Sequence, residues 1–597
     1  MATKTISPAA TTDGAGTVAS PYQLSQVIDA NVDNGDTLAF LNETPASPVH
    51  FDLSDTTGLT IKTADGETGT YVHDAMSRIS SGWSQEAGPN DSVYSHALTG
   101  ASVLLCIEGW GEAADGSHRR QGTMTIAASV AACQAAPGSF YFASNVLYIH
   151  PLGSVAPTET YHAYITASAA LLKLDNCTDV IIENFGVAGV LIAGDDGIHI
   201  TGTAAEIGTP VLSGIVAYDF LSTGADAILI DPTSGALEGL RLNGFNAYGG
   251  NCTISIQTAS DADIDNVQIL NANWAFAGGL LDAAGDISGT ATASIASSSL
   301  KIEPNGSGVV TSSFMRFCSF FTDEPGHAAT PFLVYKGAAA TSQYDPKTYG
   351  FHYDKCTVVA NAWTHNAAGS IAFHRCCMNF LGAAATAYAH PVWTVGNGTQ
   401  AIQLWASSRF LFAEATSGAN YEPVGIDDGQ LMIINSYVHR ADRAGGSNDR
   451  FFHGAGGGWG IPVELEIRGS VISQDSAGSI ATSESNTFRF PTQFIFESNI
   501  YSVFNSAAVT ELSGIETTAE LESHDAGTPI TNQVNQWAGA TAPGGWRPRH
   551  GSDVATAAKL ATAAWQQTRG FTNRVQDGAY GAAQSRQPIR RMRRALR

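Results

Sequence analysis

Two short stretches of the sequence carry side chains that could perform acid–base or metal chemistry. FHYDKCTVV at residues 351–359 and IAFHRCCMN at residues 371–379 each combine histidine, a charged residue and cysteine within an alternating apolar pattern. Histidine beside a carboxylate can transfer a proton near neutral pH, and histidine with cysteine can bind zinc. The same pattern is typical of a repeated structural unit whose cysteines lie in the core.

The eight cysteines argue against a zinc site. None of them forms a CxxC pair, and none stands at a ligand-like spacing from a histidine. We therefore predict no metal and no cofactor, and we interpret the thiols as buried and free. They are Cys106, Cys133, Cys177, Cys252, Cys318, Cys356, Cys376 and Cys377.

The alternating pattern recurs eleven times along the chain. Each copy has an anchor residue with apolar residues five and three positions before it and two positions after it. Successive anchors are 20 to 46 residues apart, which predicts a solenoid of strands with loops of unequal length rather than propeller blades. The anchors are Phe185, Phe220, Phe245, Ala272, Cys318, Cys356, Cys376, Ser407, Ser436, Ser470 and Asn499.

The residue before the anchor, here named the corner residue, is Asn, Asp, Gly or Ser in seven copies, so each strand is expected to end in a turn. A second alternating strand follows at 196–202, 226–232 and 252–258. Several short strands per coil, stacked in parallel on those of the next coil, predict a parallel β-helix. Cys318, Cys356 and Cys376 then form an inward ladder.

The ends are less regular. Leu24, Val27 and Ile28 have helical spacing and predict a helix that caps the solenoid, and 138–153 predicts a hairpin across Ser144 and Asn145. We expect an N-terminal cap with irregular coils at 1–170, a regular solenoid at 171–510, its C-terminal end at 511–584 and an arginine-rich tail at 585–597.

The coils DNCTDVIIENFGV and AGDDGIHITG, with the ending RGFTNRVQDGAYGA, resemble the right-handed parallel β-helix proteins of the pectate-lyase-like superfamily over roughly residues 15–583. This resemblance implies an all-β, right-handed parallel β-helix. Proteins of this kind without a secretion signal are often similar to bacteriophage tail spikes and other virion appendages, many of which trimerise and bind or cleave host polysaccharide. The acidic residue usual after the tyrosine is Gly581 here.

The positions two before the anchors point outward and line up Arg316, Asp354, His374 and Trp405, with His352 beside Asp354. A histidine beside a carboxylate can act as a base, an arginine can neutralise a sugar acid, and an exposed tryptophan can stack on a pyranose. The candidate catalytic residues are Asp354, His374, Arg316 and His352, and the candidate substrate-binding residues are Trp405, His374 and Arg316. The alternative is a set of ordinary cross-strand pairs on a solvated face.

Acidic residues suggest a second type of site, because glycoside hydrolases use a pair of carboxyl groups as their catalytic residues. Asp195 and Asp196 are sequence neighbours, and Asp196 occupies the corner that Asp226 occupies one coil later. That position favours a role in turns. Asp427 and Asp428, with the loop at 439–460, are interpreted either as a recognition loop or as a solvated connection.

The net charge of −24 disfavours nucleic acid as a partner. The sequence contains no run of 18 apolar residues, so we expect no membrane span. The first 30 residues lack the pattern of a secretion signal. We expect a virion protein made in the host cytoplasm. The arginine-rich tail is expected to dock onto an acidic surface of other virion proteins through Arg590, Arg591, Arg593 and Arg594.

Three functions follow as hypotheses. The first is a tail spike or virion appendage, a homotrimer by the resemblance, that recognises a host surface glycan through its β-helix face. The second is a polysaccharide depolymerase, either a lyase or a glycoside hydrolase, that uses the outward column or the acidic corners. The third is a purely structural virion protein.

Overall fold

The structure is a computed structural model of the 597-residue chain. It describes residues 2–43, 49–74, 76–79, 81–98, 103–112, 118–157, 161–165, 170–188, 196–220, 225–250, 253–259, 261–275, 300–321, 332–334, 336–342, 344–360, 363–365, 369–380, 393–395, 401–412, 424–426, 429–440, 450–454, 463–468, 470–474, 479–482, 491–497, 500–502, 528–530, 537–538 and 547–548.

Most of the described chain forms a solenoid-like all-β fold of stacked parallel strands. One 25-stranded sheet has two limbs that meet at the corner residues. The first limb contains the strands Thr3–Ile6, Thr37–Phe40, Thr60–Thr63, Ile181–Glu183, Val211–Phe220, Leu240–Gly250, Val267–Leu270, Ser313–Arg316, Phe351–Asp354, Gly369–His374, Ala401–Ala406, Gly429–Ile434, Val463–Arg468 and Pro491–Glu497.

The second limb continues the long strands Val211–Phe220 and Leu240–Gly250 and stacks them with shorter ones. Its other strands are Tyr71–Asp74, Phe185–Ala188, Asn273–Ala275, Ser319–Phe321, Thr357–Ala360, Cys377–Phe380, Arg409–Phe412, Tyr437–Arg440, Val471–Gln474, Ile500–Ser502 and Thr528–Ile530.

A separate seven-stranded parallel sheet, named here the third sheet, stacks beside these limbs. Its strands are Phe51–Ser54, Leu172–Asp175, Ile198–Thr203, Asp226–Ser234, Thr253–Gln257, Leu300–Glu303 and Phe332–Val334. A five-stranded parallel sheet contains Trp363–His365, Trp393–Val395, Val424–Ile426, Arg450–Gly454 and Ser479–Thr482. Smaller pairs join Ile264–Asp265 to Val310–Thr311 and Trp537–Ala538 to Arg547–Pro548.

The corner residues between the two limbs adopt a left-handed backbone, as the turn pattern predicts. In the nine coils whose corner the structure describes, their φ values lie between 48° and 79°, in a region where a residue with a side chain other than Asn or Asp costs about 1–2 kcal/mol. The nine are Asn184, Gly214, Gly244, Asn271, Phe317, Lys355, Arg375, Ser407 and Asn435. The corners therefore set the register of the stacked strands.

Among the described residues, the space enclosed by the stacked sheets is filled by a cluster of buried apolar side chains that extends from Ile6 to Ile467. Like side chains stack on like, and the rings of Tyr353 and Phe373 lie 4.6 Å apart and almost parallel. The predicted ladder of Cys318, Cys356 and Cys376 is confirmed, because all three thiols are buried and free. Burial raises the pKa of the Cys356 and Cys376 thiols well above the usual value.

The register corrects one upstream anchor. Gly186 pairs with Val216, so the residue stacked on Phe185 is Ile215 and not Phe220. The corner of that coil is Gly214, at φ 62°. The strand Val211–Phe220 is continuous across the corner. Its ten residues fit the alternating apolar pattern in two different positions, and the sequence alone does not decide between them.

The solenoid also begins earlier than residue 171. Phe51–Ser54 pairs with Leu172–Asp175, Thr60–Thr63 pairs with Ile181–Glu183, and Tyr71–Asp74 pairs with Phe185–Ala188. The coil at 51–74 thus lies directly beside the coil at 172–188. The residues between them form an inserted module with its own buried core.

The inserted module is antiparallel apart from one short parallel pair. One of its sheets contains Met76–Ile79, Val103–Glu112, His118–Thr123 and Tyr161–Ile165, and the other contains Ser84–Gln85, Tyr94–Ala97, Thr125–Ile126, Ser139–Ala143 and Val146–His150, with the helix Val130–Ala135 beside it. The predicted hairpin is confirmed, since Ser144 and Asn145 both have positive φ between paired strands.

In the part of the chain that the structure describes, helices are few and short. The segment predicted as a capping helix contains two single-turn 3-10 helices, Leu24–Gln26 and Asp29–Asn31, because Val27 and Ile28 leave the helical conformation between them. The other described helices are Val130–Ala135 in the inserted module, Ala204–Ile207 and the 3-10 turn Pro346–Thr348. Within the described ranges, no helix is long and apolar enough to cross a membrane.

Candidate functional site

Three of the four residues in the predicted outward column do lie side by side. Arg316 pairs with Asp354 across the first limb, and Asp354 pairs with His374 in the next coil. Their side chains make direct contact, so the sequence frame is correct over these coils. The fourth position of the column is Ala406, which pairs with His374.

Trp405 is therefore not part of the column, and its prediction as a sugar-stacking residue is wrong. It pairs with Phe373 on the inner face, is fully buried, and stacks on Phe410 with ring centroids 3.6 Å apart. The cause is a register error of one residue. Ser407 is the corner residue, at φ 49°, and Ser408 is the anchor.

Asp354 is the centre of the column and is buried. Arg316 donates from Nε to Oδ2 at 2.9 Å, and Arg375 donates from Nη2 to Oδ1 at 2.7 Å. His374 Nδ1 lies 3.3 Å from Oδ1. Although burial opposes ionisation, the hydrogen bond from His374 and the charge of Arg375 hold the pKa of Asp354 well below its usual range.

His352 lies beside this ion pair and packs against Phe314, with ring centroids 5.4 Å apart. Burial lowers the pKa of His352 to about 4, and the positive charge of Arg316 adds to this effect while Asp354 opposes it. Asp354 is thus held ionised and His352 neutral at pH 7. Both are far from the pKa that a general acid or base needs near neutrality.

A second cluster, named here the acid cluster, lies on the third sheet and consists of Asp196, His199, Asp226 and Asp231. His199 Nε2 lies 2.7 Å from Asp231 Oδ1, and His199 Nδ1 lies 3.9 Å from Asp196 Oδ2. The backbone N–H of Asp226 donates to Asp196 Oδ1 at 2.9 Å. Three carboxyl groups and one imidazole are therefore gathered on two adjacent coils.

The local sequence explains how these side chains meet. His199 follows the buried Ile198 on one strand, and Asp231 lies three positions after the buried Ile228 on the neighbouring strand. Because Ile198 and Ile228 pair in the interior and side chains alternate between faces, His199 and Asp231 lie on the same outer face. Between Asp226 and Ile228 the pairing with the next strand shifts by one residue. Such a bulge redirects a side chain, and the Asp226 carboxyl is bonded to Ser255 on the next strand.

Asp226 has a pKa near neutrality, which neither Asp354 nor His352 has. Burial, and then the negative charge of Asp196, raise the pKa of Asp226 to about 7, although Lys301 and the hydrogen bond to Ser255 act in the opposite direction. The pKa of His199 is also raised, because its hydrogen bond to Asp231 and the nearby charges outweigh its burial. The acid cluster therefore contains a carboxyl group that can exchange a proton near neutral pH.

Two lysines flank the acid cluster on the same sheet. Lys173 Nζ lies 3.2 Å from Asp175 and 3.8 Å from Asp52, and Lys301 Nζ lies 2.5 Å from Glu303. In the described part of the chain, no group of three or more His, Cys, Asp or Glu side chains is arranged to hold a metal ion.

The sequence placed Asp196 and Asp226 at one corner of consecutive coils and favoured a role in turns, with the acidic corners kept as an alternative site for a depolymerase. It did not predict that His199 and Asp231 join them. The useful signal was their separation by one coil, which forces two carboxyls to lie together. Asp195, Asp427, Asp428, most of the loop at 439–460, and the arginine-rich tail lie outside the described residues.

No protein-family model matches the chain, and no curated protein matches it. The chain is similar to a solved structure described as "The complex structure of XylC with xylose", with 10% identity and a TM-score of 0.42 over 84% of this chain and 83% of that chain. It is also similar to one described as "Glycoside hydrolase", with 10% identity and a TM-score of 0.27 over 84% and 96% of the two chains.

Proposed function

We propose that this chain is a polysaccharide depolymerase that hydrolyses glycosidic bonds at the acid cluster. The observation that carries the proposal is the pKa of Asp226, raised to about 7 by burial and by the charge of Asp196. A carboxyl group that stays protonated near neutral pH can donate a proton to the leaving oxygen of a glycoside.

The carboxyl groups of the acid cluster have different roles in this hydrolysis. Asp226 donates its proton to the glycosidic oxygen as the bond to the anomeric carbon breaks. Asp231, with a side chain 37% exposed and fixed by His199, accepts a proton from the water that attacks that carbon. Asp196 supplies the negative charge that keeps Asp226 protonated. Proton exchange with solvent restores both groups.

The finer fold that we propose for this scaffold is a right-handed parallel β-helix of the pectate-lyase-like kind. Its support is the parallel pairing of each coil with the next in both limbs and in the third sheet. Parallel strands joined by crossover connections are almost always right-handed.

The test is release of reducing ends from purified polysaccharides, for which xylan, pectin, bacterial capsules and lipopolysaccharides form the panel. Asp226→Asn and Asp231→Asn are each expected to lower the rate at least 100-fold on the substrate that wild type cleaves. Asp175→Asn is the matched control, since Asp175 lies on the same sheet beside Lys173. Full activity of Asp226→Asn would contradict the proposal.

Recognition without cleavage is the second candidate, in the form of a homotrimeric virion appendage that binds a host glycan. Its support is the outward pair of Arg316 and Arg375, with side chains 36% and 38% exposed on an otherwise acidic protein. Glycan-array binding by the full chain, with no cleavage of the bound glycans, would favour this function. Light scattering tests the trimer, and a pull-down of virion proteins with and without residues 585–597 tests the tail.

A further inference from the structure

Three consecutive corner residues depart from the pattern of their neighbours. Asn271 and Asn435 are the type of residue that tolerates a left-handed backbone. Phe317, Lys355 and Arg375 instead have bulky side chains at φ 56°, 56° and 55°. An unfavourable backbone at three adjacent coils points to a use for the side chains themselves. We name these three residues the cationic corner.

The side chains of the cationic corner are presented outward and together. Phe317 is 46% exposed, one of the few large apolar side chains on the described surface. The Nζ of Lys355 lies 4.9 Å from the centre of the Phe317 ring. Arg375 follows in the next coil, anchored by Asp354 and still 38% exposed. An aromatic ring thus stands beside two cations on successive coils, which are about 4.8 Å apart.

The charge of this surface is opposite to that of the protein. Arg316 and Arg375 share a single carboxylate, that of Asp354, and Lys355 adds a third positive charge at the same corner, while the whole chain carries −24. Among the described residues, Lys355 forms no ion pair with a carboxylate. The surplus positive charge makes this corner a local attractor for anions on a protein whose net charge is negative.

We propose that the cationic corner binds an anionic sugar unit of a polysaccharide, with the pyranose against Phe317 and its carboxylate or sulfate group at Lys355 and Arg375. The proposal rests on the polysaccharide function given above and adds a binding surface separate from the acid cluster. An aromatic ring supplies a stacking plane for a pyranose, and the two cations select a charged unit over a neutral one.

The experiment measures binding without turnover, in an Asp226→Asn background. The variant is Phe317→Asn with Lys355→Asn, which installs the residue that Asn271 and Asn435 provide at the same corner, so folding is expected to be retained. Hyaluronan presents carboxylates, dextran sulfate presents sulfates, and dextran is the neutral polymer. We expect affinity for at least one anionic polymer to fall tenfold or more, and wild-type binding to weaken with salt.

The matched control is Lys62→Asn, which removes one positive charge from a lysine paired with Asp65 elsewhere on the solenoid. It is expected to bind within twofold of the parent. Unchanged binding by the double variant, equal loss in the control, or no binding of either anionic polymer by the parent would overturn the proposal. So would a change of oligomeric state in the double variant, because the corner would then contact a second copy. Cleavage by wild type is scored separately, so failure of the acid cluster leaves this result readable.

Discussion

The backbone N–H of Asp226 donates a hydrogen bond to the carboxylate of Asp196 at 2.9 Å, although the two residues are 30 positions apart in sequence. One coil of the solenoid separates them, so two acids that are distant in sequence become neighbours. Their proximity, together with burial, moves the proton affinity of Asp226 into the neutral range.

The pH dependence of stability is expected to report on Asp226. Its folded pKa of about 7 lies above its unfolded value, so between about pH 4 and 7 the folded state binds more protons than the unfolded state. Stability therefore falls as pH rises through this window. The melting temperature of wild type should be lower at pH 8 than at pH 5, and this decrease should be smaller in Asp226→Asn. Identical slopes for both proteins would contradict the assignment.

Loss of the Asp354 carboxylate is expected to destabilise the solenoid. Asp354→Asn leaves Arg316 and Arg375 without their shared anion, and because both guanidinium groups are partly exposed, the cost should be about 1–3 kcal/mol. Denaturant unfolding at pH 7 measures it. Asp52→Asn is the control, since that side chain is 70% exposed, and should change stability by less than about 0.5 kcal/mol.

The Asp354 carboxylate also predicts how stability changes as the pH falls. The folded pKa of Asp354 is depressed, so its stabilising effect is present above the unfolded value near 4 and is lost as pH falls through the folded value. Wild type and Asp354→Asn should therefore converge in stability at strongly acidic pH. A gap that stays constant from pH 7 to the acid limit would mean that the carboxylate is not engaged.

The interior place of Trp405 predicts a structural effect of mutation. Trp405→Ala should cost about 3–5 kcal/mol, because it leaves a cavity against Phe410 and Phe373. Glycan binding per folded molecule should be unchanged, and Trp405→Phe should be milder. Normal stability together with impaired glycan binding in Trp405→Ala would contradict the buried position and indicate that Trp405 lies on the surface.

Two adjacent serines test the register directly. Ser408 accepts from the N–H of Cys376 at 3.0 Å inside the solenoid, so Ser408→Ala should cost about 1–3 kcal/mol. Ser407 has a positive φ, so Ser407→Gly should leave stability within about 0.5 kcal/mol of wild type or raise it. Calorimetry of the two variants that gave the reverse order would support the frame with Ser407 as anchor.

The sequence predicted the repeat well wherever the corner residue and the anchor could be read together. Cys318, Cys356 and Cys376 follow three corners, and the frame placed Arg316 beside Asp354 and His374 correctly. It failed at Trp405, where alternation alone allows two frames one residue apart, and a slip of one residue exchanges the inner and outer faces. Packing against Phe410 decides between them, and no local pattern records that contact.

The outer face also carries buried apolar residues, which the local sequence pattern does not predict. Leu404 and Met432 point away from the interior yet are buried, because they pack with Tyr349 beneath the segment that precedes the strand Phe351–Asp354. Tyr344 of that segment donates to Glu466 at 3.1 Å, across 122 residues of sequence. Apolar residues on an outward face therefore indicate a covering segment, which becomes apparent only when distant coils are assembled.

The inserted module has a consequence for how the chain is made. The strands Phe51–Ser54 and Tyr71–Asp74 find their partners only at 172–188, whereas Thr60–Thr63 also pairs with the earlier strand Thr37–Phe40. On a ribosome these two strands emerge before their partners, and the separate core of the inserted module lets it fold in the meantime. Growth of the solenoid then proceeds from that point by adding one coil to an existing edge. A protein synthesised in this order exposes one fresh edge at a time, with the module closed before the long stack begins.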